Sequence, residues 1–131
     1  MDGHLGEAFI DLDRFKLMND TLGHAFGDDL LREVAARLDD AVIAPAMVAR
    51  FGGDEFTVLL PKVASMADAV RETDRLLAVL SRPYRLRGQT VSIRASAGVA
   101  VALDDGELHS SDASLLLRDA DAALYLSLIH I

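Results

Sequence analysis

Two short stretches carry the residues best suited to chemistry. One holds Asp11 and Asp13 with Leu12 between them; the other is Arg50-Phe51-Gly52-Gly53-Asp54-Glu55-Phe56, where two glycines precede two acids. Carboxylates are hard oxygen ligands, and magnesium is commonly held by one or two of them together with phosphate oxygens and water. Asp11 and an acid of the second stretch would make such a site if their strands are neighbours. Two metals held this way activate an attacking hydroxyl and neutralise a phosphoryl group and its departing pyrophosphate. Amides at a helix start after Asp13 would point towards an anion, and Lys16 would add a point charge. The plain alternative is a strand end and a hairpin tip whose acids are solvated.

The elements that must position these residues follow from hydrophobic pattern and turn chemistry. Ala8 to Leu12 reads as a buried strand, and Asp13 to Leu22 as a turn or two of helix broken at Gly23. Asp28 is a good N-cap for a helix whose apolar face is Leu30, Leu31, Val34, Ala35 and Leu38. The segments on either side of Gly52-Gly53 predict a hairpin with the glycines as its turn, since both tolerate positive φ. Successive strand side chains alternate, so one of Asp54 and Glu55 is expected to face a given site.

A second amphipathic helix is predicted from Ser65, with Ala69, Val70, Thr73, Leu76, Leu77 and Leu80 on one face, ending before Pro83. A second hairpin follows, with its turn at Gly88-Gln89 and a long strand from Thr90 to about Leu103. A last helix is expected from near Asp112 through Leu124. The alternation of strands, hairpins and helices predicts one α+β domain, a mainly antiparallel central sheet covered by helices. Strand order is left open by the pattern.

Composition sets limits on partners. With 131 residues, half of them hydrophobic, the chain suits one core. Its 13 Lys plus Arg against 21 Asp plus Glu give a net charge of -8, which argues against a nucleic-acid backbone as ligand. A nucleotide would need a divalent cation to offset repulsion. The absence of cysteine removes disulfides, thiolate metal sites and cysteine nucleophiles. The longest apolar run, Ala41 to Ala49, is interrupted by Pro45 and is too short to span a bilayer. Cytoplasmic location is the expectation, with any membrane attachment outside this chain.

Three motifs in order carry a family resemblance. They are Phe9-Ile10-Asp11-Leu12-Asp13-Arg14-Phe15-Lys16, then Asn19-Asp20-Thr21-Leu22-Gly23-His24 with Gly27-Asp28, and Arg50 to Phe56. Together they resemble the GGDEF family of diguanylate cyclases. Ser96 to Ala100 and Ala120 to Tyr125 are similar to later segments of that family. The resemblance implies a palm-like sheet related to nucleotidyl cyclases. It also implies a homodimer in which two GTP molecules condense to cyclic di-GMP and two pyrophosphates.

By the same resemblance Asp11, Asp54 and the Leu12 carbonyl would hold Mg2+ (or Mn2+), and Asp54 would accept a proton beside Glu55. Asn19 and Asp28 would hydrogen-bond the guanine edge, an amide and a carboxylate being able to pair with its carbonyl and N–H groups. His24 would lie near the same nucleotide, Lys16 near phosphate, and Gly52 and Gly53 would form the substrate-side turn. The alternative function is a non-catalytic GGDEF-like module that binds GTP and regulates an attached domain.

The sequence also departs from the family pattern. Where many members carry an Arg-x-x-Asp site for product inhibition, this chain has Ile43-Ala44-Pro45-Ala46, so inhibition through that site is not expected. The family's leading helix is missing before the first strand. After Tyr125, Leu126-Ser127-Leu128-Ile129-His130-Ile131 replaces the family's lysine and Gly-Arg pair. The expected organisation is therefore a partial GGDEF domain over 1–125 and a non-native tail over 126–131.

Overall fold

The computed structural model describes residues 4–102 and 124–130, and the side chains of 4–49 and 53–102. The elements are β1 (His4–Leu12), α1 (Phe15–Leu22), α2 (His24–Ala41), β2 (Met47–Gly52) and β3 (Glu55–Val63). They continue with α3 (Met66–Leu80), β4 (Tyr84–Leu86), β5 (Gln89–Val91), β6 (Ala95–Ala102) and β7 (Leu124–His130). The five-stranded sheet has the order β2-β3-β1-β6-β7, and each of its pairings is antiparallel. This is the expected α+β architecture.

Alternation decides which face is buried. Ala8, Ile10 and Leu12 of β1 join Phe56, Val58 and Leu60 of β3 and Ala95, Ala97, Val99 and Val101 of β6 in one core. Leu30, Leu31, Val34 and Leu38 of α2, with Ala69, Leu76, Leu77 and Leu80 of α3, complete it. These helical residues recur every three or four positions, the spacing of a single helix face. Both predicted apolar faces are thus found against the sheet.

Helix α3 starts where its sequence predicts. The Ser65 hydroxyl accepts a hydrogen bond from the Asp68 amide at 3.1 Å, and the Asp68 carboxylate accepts one from the Ala64 amide at 3.1 Å. Such reciprocal capping satisfies two orphan amides and is worth about 1 kcal/mol.

Helix α2 starts a turn earlier than Asp28. Gly23, at φ 99°, separates α1 from α2, and its carbonyl accepts from the Gly27 amide at 3.1 Å, closing the first turn. Phe26 is buried and extends the apolar stripe backwards, so Asp28 stands inside the helix and not at its cap.

Both hairpin turns shift by one residue from their expected places. In the first, Gly52 pairs with Glu55, leaving Gly53 and Asp54 as the turn. In the second, Leu86 pairs with Gln89, so the turn is Arg87-Gly88, with φ of 51° and 79°. Positive φ at both central residues is the turn that suits the strand twist. The long strand expected from Thr90 is divided, because β5 pairs with β4 in a separate sheet whereas β6 pairs with β1. The predicted last helix lies outside the described residues except for Leu124, which is in β7. Leu126 to His130 also lie in β7, paired with β6 from Ala100 back to Ser96.

The β4–β5 hairpin is fastened to α2 at both ends. At its base, buried Tyr84 donates to the Leu80 carbonyl at 2.7 Å, and the Arg37 guanidinium lies 3.6 Å above its ring. At its tip, Arg87 meets Asp29 at 2.7 Å. Burial is the main reason the Tyr84 hydroxyl is pushed up to about 12. A raised folded value favours the protonated fold, so this stability is fully present below the ordinary tyrosine value and is lost as pH rises through 12. Unfolding free energy is expected to fall by on the order of 2 kcal/mol over that window. Denaturant titrations at several alkaline pH values check this; Tyr84→Phe should lose that part of the slope.

Candidate active site

Strand register brings the acidic residues to one end of the sheet. Asp11 at the end of β1 is the partner of Glu55 on β3 and of Ser96 on β6. Directly opposed residues in antiparallel strands share a face, so Glu55, Asp11 and Ser96 form a row across three strands. Asp54 sits in the adjoining turn, and its carbonyl accepts from the Leu12 amide at 3.4 Å. The two stretches singled out from sequence are therefore neighbours.

The electrostatics of this corner are repulsive. Asp11 is raised above the ordinary carboxylate value, first by partial burial and then by the charges of Asp54, Glu55 and Asp13. Both acids of the turn thus act on Asp11. Glu55 is the register partner of Asp11, whereas Asp54 belongs to the turn and lies outside strand alternation. The fourth acid, Asp13, is held by other bonds. Its amide donates to the Arg94 carbonyl at 2.8 Å, and its carboxylate accepts from the Ser96 hydroxyl at 2.9 and 3.2 Å.

A second cluster forms where α1 meets α2. The Asn19 side-chain amide donates to His24 Nδ1 at 2.8 Å, which leaves the proton of a neutral ring on Nε2. Gly27 lies against Asn19: a Cβ at this position would stand 2.1 Å from Asn19 Oδ1 and 3.2 Å from Phe15 Cζ. Glycine in a helix interior is unfavourable by roughly 0.5–1 kcal/mol relative to alanine, and here it makes room for Asn19. Asp28 follows Gly27 and is exposed, and Lys16 is exposed on the first turn of α1.

The sequence signal for Gly27 is a glycine inside a helical pattern. The partner of Asp13, Ser96, emerges only from the β1–β6 register. Gly52 ends β2, and Gly53 is exposed with φ 56°. Residues of β2 also slip register between Arg50 and Gly52, a bulge that bends the strand before the turn.

The family model described as "Diguanylate cyclase, GGDEF domain" matches residues 2–128. The chain belongs to the GGDEF family. This GGDEF domain is 44% identical over 124 residues to diguanylate cyclase TpbB of Pseudomonas aeruginosa, covering 94% of the chain and 28% of TpbB. It is 42% identical over 124 residues to MucR of the same species, named a bifunctional diguanylate cyclase/cyclic di-GMP phosphodiesterase, covering 95% of the chain and 17% of MucR. The chain therefore spans less than a third of either relative. The crystal structure of the TpbB GGDEF domain is similar, with a TM-score of 0.76 and 44% identity, covering 91% of this chain and 72% of that one. Among the described residues no helix is long and apolar enough to cross a membrane.

Proposed function

We propose that this GGDEF domain is the catalytic domain of a diguanylate cyclase. Two copies each hold one GTP, and each 3′ hydroxyl attacks the α-phosphate of the other, forming cyclic di-GMP and releasing two pyrophosphates. The observation that carries this reading is the meeting of Asp11 with Asp54 and Glu55 at one sheet end, together with a separate Asn19–His24–Gly27 corner that Asp28 follows in sequence. The first set suits a phosphate-bound cation and the second a base edge.

Asp11 and Asp54, with the Leu12 carbonyl, are the proposed holders of Mg2+ or Mn2+. Their fit rests on the donor set and on the repulsion at Asp11, which a divalent cation relieves. Among the described residues no three acidic or histidine side chains form a closed cage. Magnesium bound through two carboxylates does not need one, since substrate phosphates and water complete its octahedron. When bound, the cation offsets charge developing on the phosphoryl group and pyrophosphate.

The chain's own residues supply the rest. Asp54 accepts the proton of the attacking hydroxyl, with Glu55 beside it. Lys16 faces the phosphates, while the Gly52-Gly53 turn keeps side chains away from the substrate. Asn19 and Asp28 take the guanine edge, and His24 fixes the Asn19 amide. Dimerisation is required because each active site supplies half of the product.

The test is incubation with GTP and magnesium followed by chromatography of the nucleotides. Cyclic di-GMP is expected, at a rate that rises faster than linearly with protein concentration. Asp54→Asn should lower it about a thousandfold, the scale of several kcal/mol of lost charge stabilisation and proton transfer. The second reading is a GTP-binding module that regulates an attached domain, and it is kept in view by the phosphodiesterase part of MucR's name. GTP binding without turnover at high protein concentration would select it, and absence of GTP binding would overturn both.

A further inference from the structure

The acidic end of the sheet has a cation beside it that the family motifs do not single out. The pairs Asp11–Ser96 and Leu12–Ala95 continue in the bond from the Asp13 amide to the Arg94 carbonyl, so Arg94 takes the next register position, across from Asp13. Arg94 directly precedes β6, and its exposure between buried Ile93 and Ala95 continues the alternation of that strand, which assigns Arg94 to the face of Ser96 and Asp11. Arg94 is exposed.

An arginine in register with an aspartate is well placed for an ion pair. Arg32, Arg37, Arg71, Arg75 and Arg87 are all paired in that way. Among the described residues the Arg94 guanidinium makes no such pair, and the nearest carboxylate in register, Asp13, is already bonded to Ser96. Among the described residues its five N–H donors meet no carboxylate. A guanidinium matches phosphate oxygens two at a time, which an ammonium cannot do.

We infer that Arg94 is a phosphate-binding residue of this site, gripping the polyphosphate of the nucleotide from the β6 side. This rests on the guanine-nucleotide reading above. It assigns Arg94 to affinity for the β- and γ-phosphates and not to recognition of the base. Calorimetric titration of the chain with GTP and with GMP, each with magnesium, separates these roles. Arg94→Ala should weaken GTP binding about tenfold, the scale of one charge-assisted hydrogen bond, and leave GMP binding within about twofold. Arg94→Lys should keep part of the GTP affinity, and Arg85→Ala, an exposed arginine on β4, should change neither.

Unchanged GTP affinity in Arg94→Ala, beside a wild-type chain that binds GTP, would overturn this assignment alone. Equal weakening of GTP and GMP would also overturn it, by making Arg94 a support of the fold. Failure of the wild-type chain to bind GTP would overturn the assignment together with the reading beneath it.

Discussion

Asp11→Asn is expected to abolish cyclic di-GMP formation and, in the absence of metal and nucleotide, to stabilise the fold. The activity loss follows from removing a proposed metal ligand, on the order of a thousandfold if several kcal/mol of charge stabilisation are lost. The stability gain has a different origin. Asp11 is raised above the ordinary carboxylate value by partial burial and by Asp54, Glu55 and Asp13, so its charge opposes folding at neutral pH. Asparagine keeps the shape and removes that charge. Thermal melting in EDTA should show the variant melting above the wild type, and adding magnesium with GTP should reverse the order. An Asp11→Asn variant that melts lower without metal would mean that the carboxylate stabilises the apo fold. The proposed tension between stability and ion binding would then be wrong.

The second large effect is expected from the smallest side chain in the site. Gly27→Ala should raise the KM for GTP by about tenfold to a hundredfold while leaving the melting temperature nearly unchanged. The added Cβ would fall 2.1 Å from Asn19 Oδ1, so the Asn19 side chain must rotate away and give up its 2.8 Å bond with His24. Loss of a hydrogen bond to the base costs about 1–3 kcal/mol when the partner is left unsatisfied, which sets the range of the KM change.

Stability is the balance of two opposed effects. Alanine gains up to about 1 kcal/mol of helix propensity over glycine, and overpacking against Phe15 removes a similar amount. The discriminating measurement is the ratio of GTP to ATP binding. If Asn19 contacts guanine, selectivity should fall in Gly27→Ala and in Asn19→Ala alike. Retained selectivity in both would place base recognition elsewhere.

Helical faces were legible because their information is local. Leu30, Leu31, Val34 and Leu38, and likewise Ala69, Thr73, Leu76, Leu77 and Leu80, fall on one side of a helix whatever it packs against. The Ser65 cap is equally local, since donor and acceptor lie three residues apart. Local pattern could not place the turns. Gly52-Gly53 and Gly88-Gln89 both looked sufficient, yet pairing along β2–β3 and β4–β5 moved each turn by one residue. It even put Arg87 at a φ of 51°. Where β6 leaves β5 to join β1 was hidden for the same reason, because a change of strand partner leaves little trace in a run of small and β-branched residues.

The candidate site divides along the same line. By itself the sequence singled out the candidate residues: Asp11, Asp54 and Glu55 for charge, Asn19 and Asp28 for hydrogen bonding, and the glycines of the turn. Only the tertiary structure decided how they meet. Register set Glu55 opposite Asp11, tied Asp13 to Ser96 and brought Arg94 to the rim; helix packing set Gly27 against Asn19. These are contacts between residues far apart in the chain or across a helix corner. They are fixed by the offset of one strand against another and by the space left between two helices, quantities that a residue's type and its near neighbours do not contain.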